Sequence, residues 1–143
     1  MKTESTKRHY VIYCDGAYSH TRKQSGAGLV IYRNGQPVFE YAKCFKGGTN
    51  NTAELCAIIL SLKCFKNPVD SILIVSDSQY CIGCINDGWS RNANLALWNE
   101  FDKIYLHVKS LCDDIKFAWV KGHNQSLGNI RADELAVQAS QSV

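Results

Sequence analysis

Four acidic side chains stand where this chain's apolar patterns stop or its helical patterns start: Asp15, Glu54, Asp77 and Asp133. Asp15 ends the run Tyr10-Val11-Ile12-Tyr13-Cys14 and is followed by Gly16, and Asp77 ends a run of the same design, Ile72-Leu73-Ile74-Val75-Ser76. If the four converge, mutual repulsion raises their pKa values and destabilises the site unless cations neutralise them. Hard oxygen ligands without an accompanying Cys/His set favour Mg²⁺ or Mn²⁺ over zinc. Two such ions about 4 Å apart suit in-line phosphoryl displacement, one preparing the attacking water and the other steadying the leaving oxygen. Each acid also has an ordinary structural account, as a helix cap, a dipole partner or a surface charge, and the residues alone leave both accounts open.

The elements that must position these groups follow from periodicity. Residues 10–19 read as a central strand with Val11, Tyr13 and Asp15 on one face. Residues 26–32 restart as a strand, Arg33-Asn34-Gly35-Gln36 closes a hairpin, and residues 37–45 run back antiparallel. A loop rich in capping residues leads into a helix at 53–65, with Glu54 in its first turn on the face of Ile58 and Phe65, bordering the buried stripe. Residues 72–76 lack alternation, as in a strand buried on both faces, and the crossover before them places that strand parallel to the first. Asp15 and Asp77 then finish at one edge of the sheet.

Ser78 caps a short helix over 79–85, and 94–112 reads as a longer one with Leu97, Phe101, Ile104, Tyr105 and Val108 inward. A last strand at 115–120 leads to a glycine-bounded loop holding His123, and a helix over 130–140 carries Asp133 near its start. The order βββαβααβα is an α/β fold, a mixed sheet covered by helices.

Composition fits one domain: 143 residues, 45% hydrophobic and 20% charged, with no repeat or low-complexity tract. Residues 1–8 are polar and read as a flexible segment ahead of a single domain at 9–143, with neither a signal peptide nor an anchor, so we expect a soluble, cytoplasmic monomer with no membrane partner. Seven cysteines, odd in number and set in apolar patterns, suit reduced thiols better than a disulfide framework. Cys81 and Cys84 lack a second ligand pair and do not read as a zinc site. A net charge of +3 permits a polyanionic partner without requiring one. Trp98 and Trp119 sit in apolar patterns and are expected in the core, whereas Trp89 lies in a polar turn.

Five motifs in order, Tyr13-Cys14-Asp15-Gly16-Ala17, Thr49-Asn50-Asn51-Thr52-Ala53-Glu54-Leu55, Ser76-Asp77-Ser78-Gln79-Tyr80, Trp119-Val120-Lys121-Gly122-His123 and Ala132-Asp133-Glu134-Leu135-Ala136, closely resemble the type 1 ribonuclease H family. The resemblance runs over about residues 10–140 and implies a five-stranded mixed sheet of order 3-2-1-4-5. It further implies an endonuclease that cuts the RNA strand of RNA/DNA hybrids with little sequence preference and leaves 5′-phosphate and 3′-hydroxyl ends. Asp15, Glu54, Asp77 and Asp133 match the family positions that hold two Mg²⁺ ions, with Mn²⁺ a possible substitute, and His123 matches a loop histidine that assists proton transfer or product release.

Gly16, Asn50, Asn51 and Gln79 match substrate-contacting positions, the amides serving groove and 2′-hydroxyl recognition. Thr49 and Asn94 resemble a pocket for a phosphate of the DNA strand, and Trp89 a wall of the DNA-strand channel. Two departures stand out: Gly47 replaces the pocket's usual arginine, and the basic helix and loop that many bacterial members insert is here only residues 86–94 with one arginine. These residues leave no room for a separate hybrid-binding domain, and none is expected beside the catalytic one. A non-catalytic hybrid-binding module and other nucleases of the same fold, a reverse-transcriptase-derived domain or a junction resolvase, are the alternatives.

Overall fold

The turn Asn34-Gly35 sets the first half of the sheet. Both residues take positive φ, 48° and 84°, the backbone that matches strand twist in a two-residue hairpin. It joins β2 (Gln24–Arg33) to β3 (Gln36–Lys46), and β2 in turn pairs antiparallel with β1 (His9–Ser19) from Tyr10↔Arg33 to Ser19↔Gln24. On its other side β1 pairs parallel with β4 (Val69–Ser76), which pairs parallel with β5 (Cys112–Trp119). The sheet order is β3-β2-β1-β4-β5, as the resemblance implies. This computed structural model describes residues 7–122 and 126–143.

Helix α1 (Asn50–Lys63) lies across β1 and buries Leu55, Ile58 and Leu62 against Ile12, Cys14, Leu29 and Ile74. Helix α3 (Leu95–Lys109) closes that core with Trp98, Phe101 and Val108, each no more than 1% exposed. Burial of side chains this size stabilises by roughly 1.5–3 kcal/mol each, so this layer carries most of the fold's cohesion. Helix α4 (Leu127–Ser140) covers the opposite face over β1 and β2. It rides close because β2 offers Gly26 and Gly28: a Cβ there would stand 2.1 Å from the Ala136 carbonyl and 2.6 Å from that of Ala132. At one end Gly128 packs against the Tyr13 ring, and at the other the Gln24 amide donates to the carbonyls of Ser140 and Ser142, at 2.9 and 2.6 Å.

Several boundaries differ from the sequence expectation, each for a local reason. α1 begins at Asn50 because Thr49 and Thr52 form a reciprocal capping box, so Glu54 is the fifth helical residue, past the first turn where the dipole acts most strongly. α4 begins at Leu127 behind a Ser126 cap on the Asn129 N–H, which puts Asp133 about two turns in rather than near the start. α3 stops at Lys109 and β5 already runs from Cys112, since pairing with Val69 outweighs the helical spacing of Cys112 from Val108. In α3, Leu97, Ile104 and Tyr105 are half-buried at the rim of the core, and in β4 Leu73 is also only half-buried.

Trp98 is in the core, but Trp119 is not: it is 44% exposed, at the end of the edge strand β5. Its alternation with Phe117 in an apolar run hid that position at the sheet's margin. All seven cysteines are free. The short segment between α2 (Gln79–Asn86) and α3 is locked by its one arginine: Arg91 forks to both Asp102 oxygens at 2.9 and 2.8 Å and lies 4.3 Å over the Trp98 ring.

Candidate active site

The parallel ladder between β1 and β4 ends at Cys14↔Ser76, so the next residue on each strand is an aspartate. There β1 continues, paired only with β2, while β4 turns away into α2. Such a parting of strands leaves a crevice at their carboxyl ends. Asp15 and Asp77 face each other across it.

α1 brings the third acid. Gly16 has no Cβ, and one built there would stand 2.2 Å from the Ala53 carbonyl carbon and 2.3 Å from the Glu54 nitrogen. The helix backbone therefore rests on the strand immediately beside Asp15. One carboxylate oxygen from each of Asp15, Glu54 and Asp77 lies within 4.8 Å of the other two. Asp133, carried by α4, is near enough to Asp15 to raise its pKa but stands outside that mutual set of three.

Asp77 is held by its neighbours' backbones. Its carbonyl accepts from the Trp119 indole N–H at 3.1 Å, the Val120 N–H donates to Ser76, and the Ser78 N–H donates to the Ser76 hydroxyl. The Ser78 hydroxyl caps α2 through the Cys81 N–H, 3.1 Å away, and lowers the Glu54 pKa. Sequence reasoning treated Trp119 as core and Ser78 as a cap alone. Their roles in seating Asp77 and Glu54 depend on sheet register, which no local pattern reveals.

Burial and the neighbouring charge favour the protonated forms of Asp15 and Glu54. Burial pushes the Asp15 carboxyl far above the usual carboxylate range, aided by the Asp77 charge and the Asp133 contact and opposed by the Gly16 N–H, which donates to Asp15 at 2.8 Å. Burial, then the Asp77 charge, raises Glu54 to about 7, against the lowering effect of the Ser78 hydroxyl. Asp77 Oδ1 is buried with no hydrogen-bond partner among the described residues. A hard divalent cation would supply that partner and reverse the repulsion, so the residues present fit the ions expected. The thiols of Cys14 and Cys81 are driven upward by burial, Cys81 to about 12, which removes them as ligands.

A testable consequence concerns pH. Glu54 retains its proton in the folded state after the unfolded chain has released it, so its contribution is full below the ordinary value of 4.5 and is lost as pH rises through about 7. Asp15, raised further, extends the loss to higher pH. In chelator, Tm should fall by about 3 °C between pH 5 and pH 8, the shift that ~1 kcal/mol produces in a domain of this size. Excess Mg²⁺ should flatten the profile. A Tm that climbs over this interval in chelator would contradict the cluster's electrostatics.

The remaining expected site residues are spread around this crevice. Asn50 opens α1 and its side-chain oxygen accepts from the Tyr18 N–H at 3.1 Å, tying helix to strand. Asn51 and Gln79 are exposed at the starts of α1 and α2. Thr49 is engaged in its capping box, and Asn94 sits ahead of α3 in a left-handed conformation, φ 60°, with no side-chain cap bond. Trp89 packs one ring face on Gly83 and is 45% exposed. Gly122 lies beside Asp77, and the next residue, His123, is outside the described residues.

A mixed sheet of order 3-2-1-4-5 with acids gathered where its parallel strands part defines the class of α/β proteins that assemble carboxylate sites at a strand switch point. The RNase H family model matches residues 7–141. The ribonuclease H of Trichodesmium erythraeum is 32% identical over 141 residues, covering 92% of this chain and 88% of that protein. That of Polynucleobacter asymbioticus is 35% identical over 152 residues, covering 94% and 92%. The crystal structure of RNase H1 from the halophilic archaeon Halobacterium salinarum superposes with TM-score 0.75 at 27% identity, over 92% of this chain and 96% of that one. The chain belongs to the RNase H family.

Proposed function

We propose that this protein is an endonuclease that hydrolyses the RNA strand of RNA/DNA hybrids, with Asp15, Glu54, Asp77 and Asp133 holding two divalent ions, Mg²⁺ or Mn²⁺ in its place. The observation that carries the reading is the meeting of three carboxylates within 4.8 Å at the strand switch point of an RNase H family chain. When bound, such ions supply an activated water and charge stabilisation for the leaving oxygen. The protein's own part is positional. Asp15 and Asp77 present oxygens from two strands locked in register, and Glu54 is set by the helix resting on Gly16. His123 would move a proton or speed product release from the loop beyond Gly122. Asn51, Gln79 and Asn50 would read the minor groove, where amides both donate and accept, while Thr49, Asn94 and Trp89 would contact the DNA strand. Products keep a 5′-phosphate and a 3′-hydroxyl. We read the protein as a cytoplasmic monomer. No helix among the described residues is long and apolar enough to cross a membrane.

The test is Mg²⁺-dependent cleavage of a labelled RNA/DNA hybrid beside duplex DNA and a four-way junction. Cutting confined to the hybrid's RNA is expected; junction cutting, or hybrid binding without cleavage, would favour the alternatives. Affinity should be modest. The one arginine between α2 and α3 is consumed by Asp102 and Trp98, so few phosphates are neutralised there. Log affinity against log salt should have a slope of only about −3, at roughly 0.9 per phosphate contact. A slope near −7 would refute this.

A further inference from the structure

We propose that the turn between β1 and β2, with Arg22 and Lys23, together with Lys46 at the end of β3, grips the phosphate backbone of the hybrid and supplies most of the charge contact that the missing basic helix and loop would give. This rests on the hybrid-cleaving reading above.

The three cations sit at the same end of the sheet as the acid cluster. From Asp15 to Ser19, the last residue of β1, is four residues, roughly 13 Å at ~3.3 Å per residue. That distance equals about four base-pair steps at ~3.4 Å each, so a duplex whose scissile phosphate lay at the cluster would pass the turn. Lys23 precedes Gln24, which pairs with Lys46, and the Gly47 N–H donates to the Lys23 carbonyl at 3.0 Å. Lys23 and Lys46 therefore issue from adjacent strand ends.

The turn is built to present side chains. Lys23 takes a left-handed backbone, φ 53°, a conformation that favours glycine, yet a charged residue stands there. It is held by its N–H to the Ser19 carbonyl at 2.8 Å, while the Arg22 N–H donates to the Ser19 hydroxyl at 3.2 Å. The Tyr18 bond to Asn50 fixes the turn beside the first residue of α1, whose amides are the expected groove contacts. Arg22, Lys23 and Lys46 are exposed and make no ion pair with any described residue, unlike Lys63, Arg91 and Arg131. Between residues 16 and 53 the only acid is Glu40, which is forked to Arg131. Arg22, Lys23 and Lys46 thus put a positive field at this end of the sheet, beside the acid cluster.

The experiment compares salt titrations of RNA/DNA hybrid binding in the full chain carrying Asp77→Asn. One variant adds Arg22→Ala, Lys23→Ala and Lys46→Ala; a control removes equal charge elsewhere through Lys66→Ala, Lys103→Ala and Lys116→Ala. The turn variant should lose at least tenfold in affinity at 0.1 M salt and flatten the slope by about 2–3, one per lost phosphate contact. The control should shift neither by half as much. Equal effects of the two variants, or none from the first, overturn the proposal. Cleavage by the unsubstituted protein separates the two levels: if it cuts the hybrid while the turn variant matches the control, the grip is wrong and the enzyme reading stands, and if it neither binds nor cuts, both fall.

Discussion

Asp77→Asn should reduce hybrid cleavage by about 10³-fold or more while leaving fold and hybrid binding in place. The backbone at this position is fixed from outside the side chain, by the Trp119 indole and by the β4–β5 pairing, so an isosteric amide keeps the local shape. What it loses is charge. Asp77 contributes repulsion to both Asp15 and Glu54, and its Oδ1 is buried without a hydrogen-bond partner among the described residues, where a divalent cation would supply one. An amide at this point halves the donor capacity and removes the attraction, and several kcal/mol of lost cation stabilisation corresponds to the stated factor at 1.36 kcal/mol per tenfold. Single-turnover cleavage with Mg²⁺, binding by anisotropy and a thermal melt together decide it. Parent-rate cutting by this variant would remove Asp77 from the site.

Gly16→Ala is expected to damage both stability and catalysis, through the helix rather than through any contact of its own with substrate. The added Cβ would meet backbone atoms of Ala53 and Glu54 at 2.2–2.6 Å, and backbone has no rotamer by which to yield. α1 must therefore rise off β1, which strains the core beneath it by about 1–3 kcal/mol. It also carries Glu54 away from Asp15 and Asp77. A displacement near 1 Å costs on the order of 10² in rate where geometry governs the chemistry. The signature is a variant still folded at the assay temperature, with Tm lowered and turnover lost well beyond the unfolded fraction. Retained activity with a lowered Tm would show that Glu54 does not need this approach.

How far the sequence could be read depends on the range of each determinant. The hairpin at Asn34-Gly35, the Ser78 cap and the end of β4 just before Asp77 are encoded by neighbours in the chain, and the structure has them, whereas β1 runs on past Asp15 to Ser19. The convergence of Asp15 with Asp77 followed from crossover handedness, a rule about long-range topology that needs only the element order. What stayed out of reach was close backbone packing. Gly16 signals a turn or a strand end in sequence, yet here it admits a helix from above, and only coordinates of α1 relative to β1 reveal that. Helix starts were misplaced by about three residues where Thr49 and Ser126 compete with other capping residues nearby. Trp119 was misread because membership of an edge strand, with one flank open to water, leaves no mark on the alternation within that strand.

The Gln24 amide, clasping the carbonyls of Ser140 and Ser142, has a mechanical consequence. An α-helix is stiff along its axis, and Asp133 lies seven residues back from Ser140, roughly 10 Å at ~1.5 Å per residue. The turn bearing Arg22 and Lys23 is thereby riveted to the same rod that delivers the fourth acid to Asp15. A tug on one end of that linkage is felt at the other, and amide exchange along α4 in a Gln24→Ala variant would register its slackening.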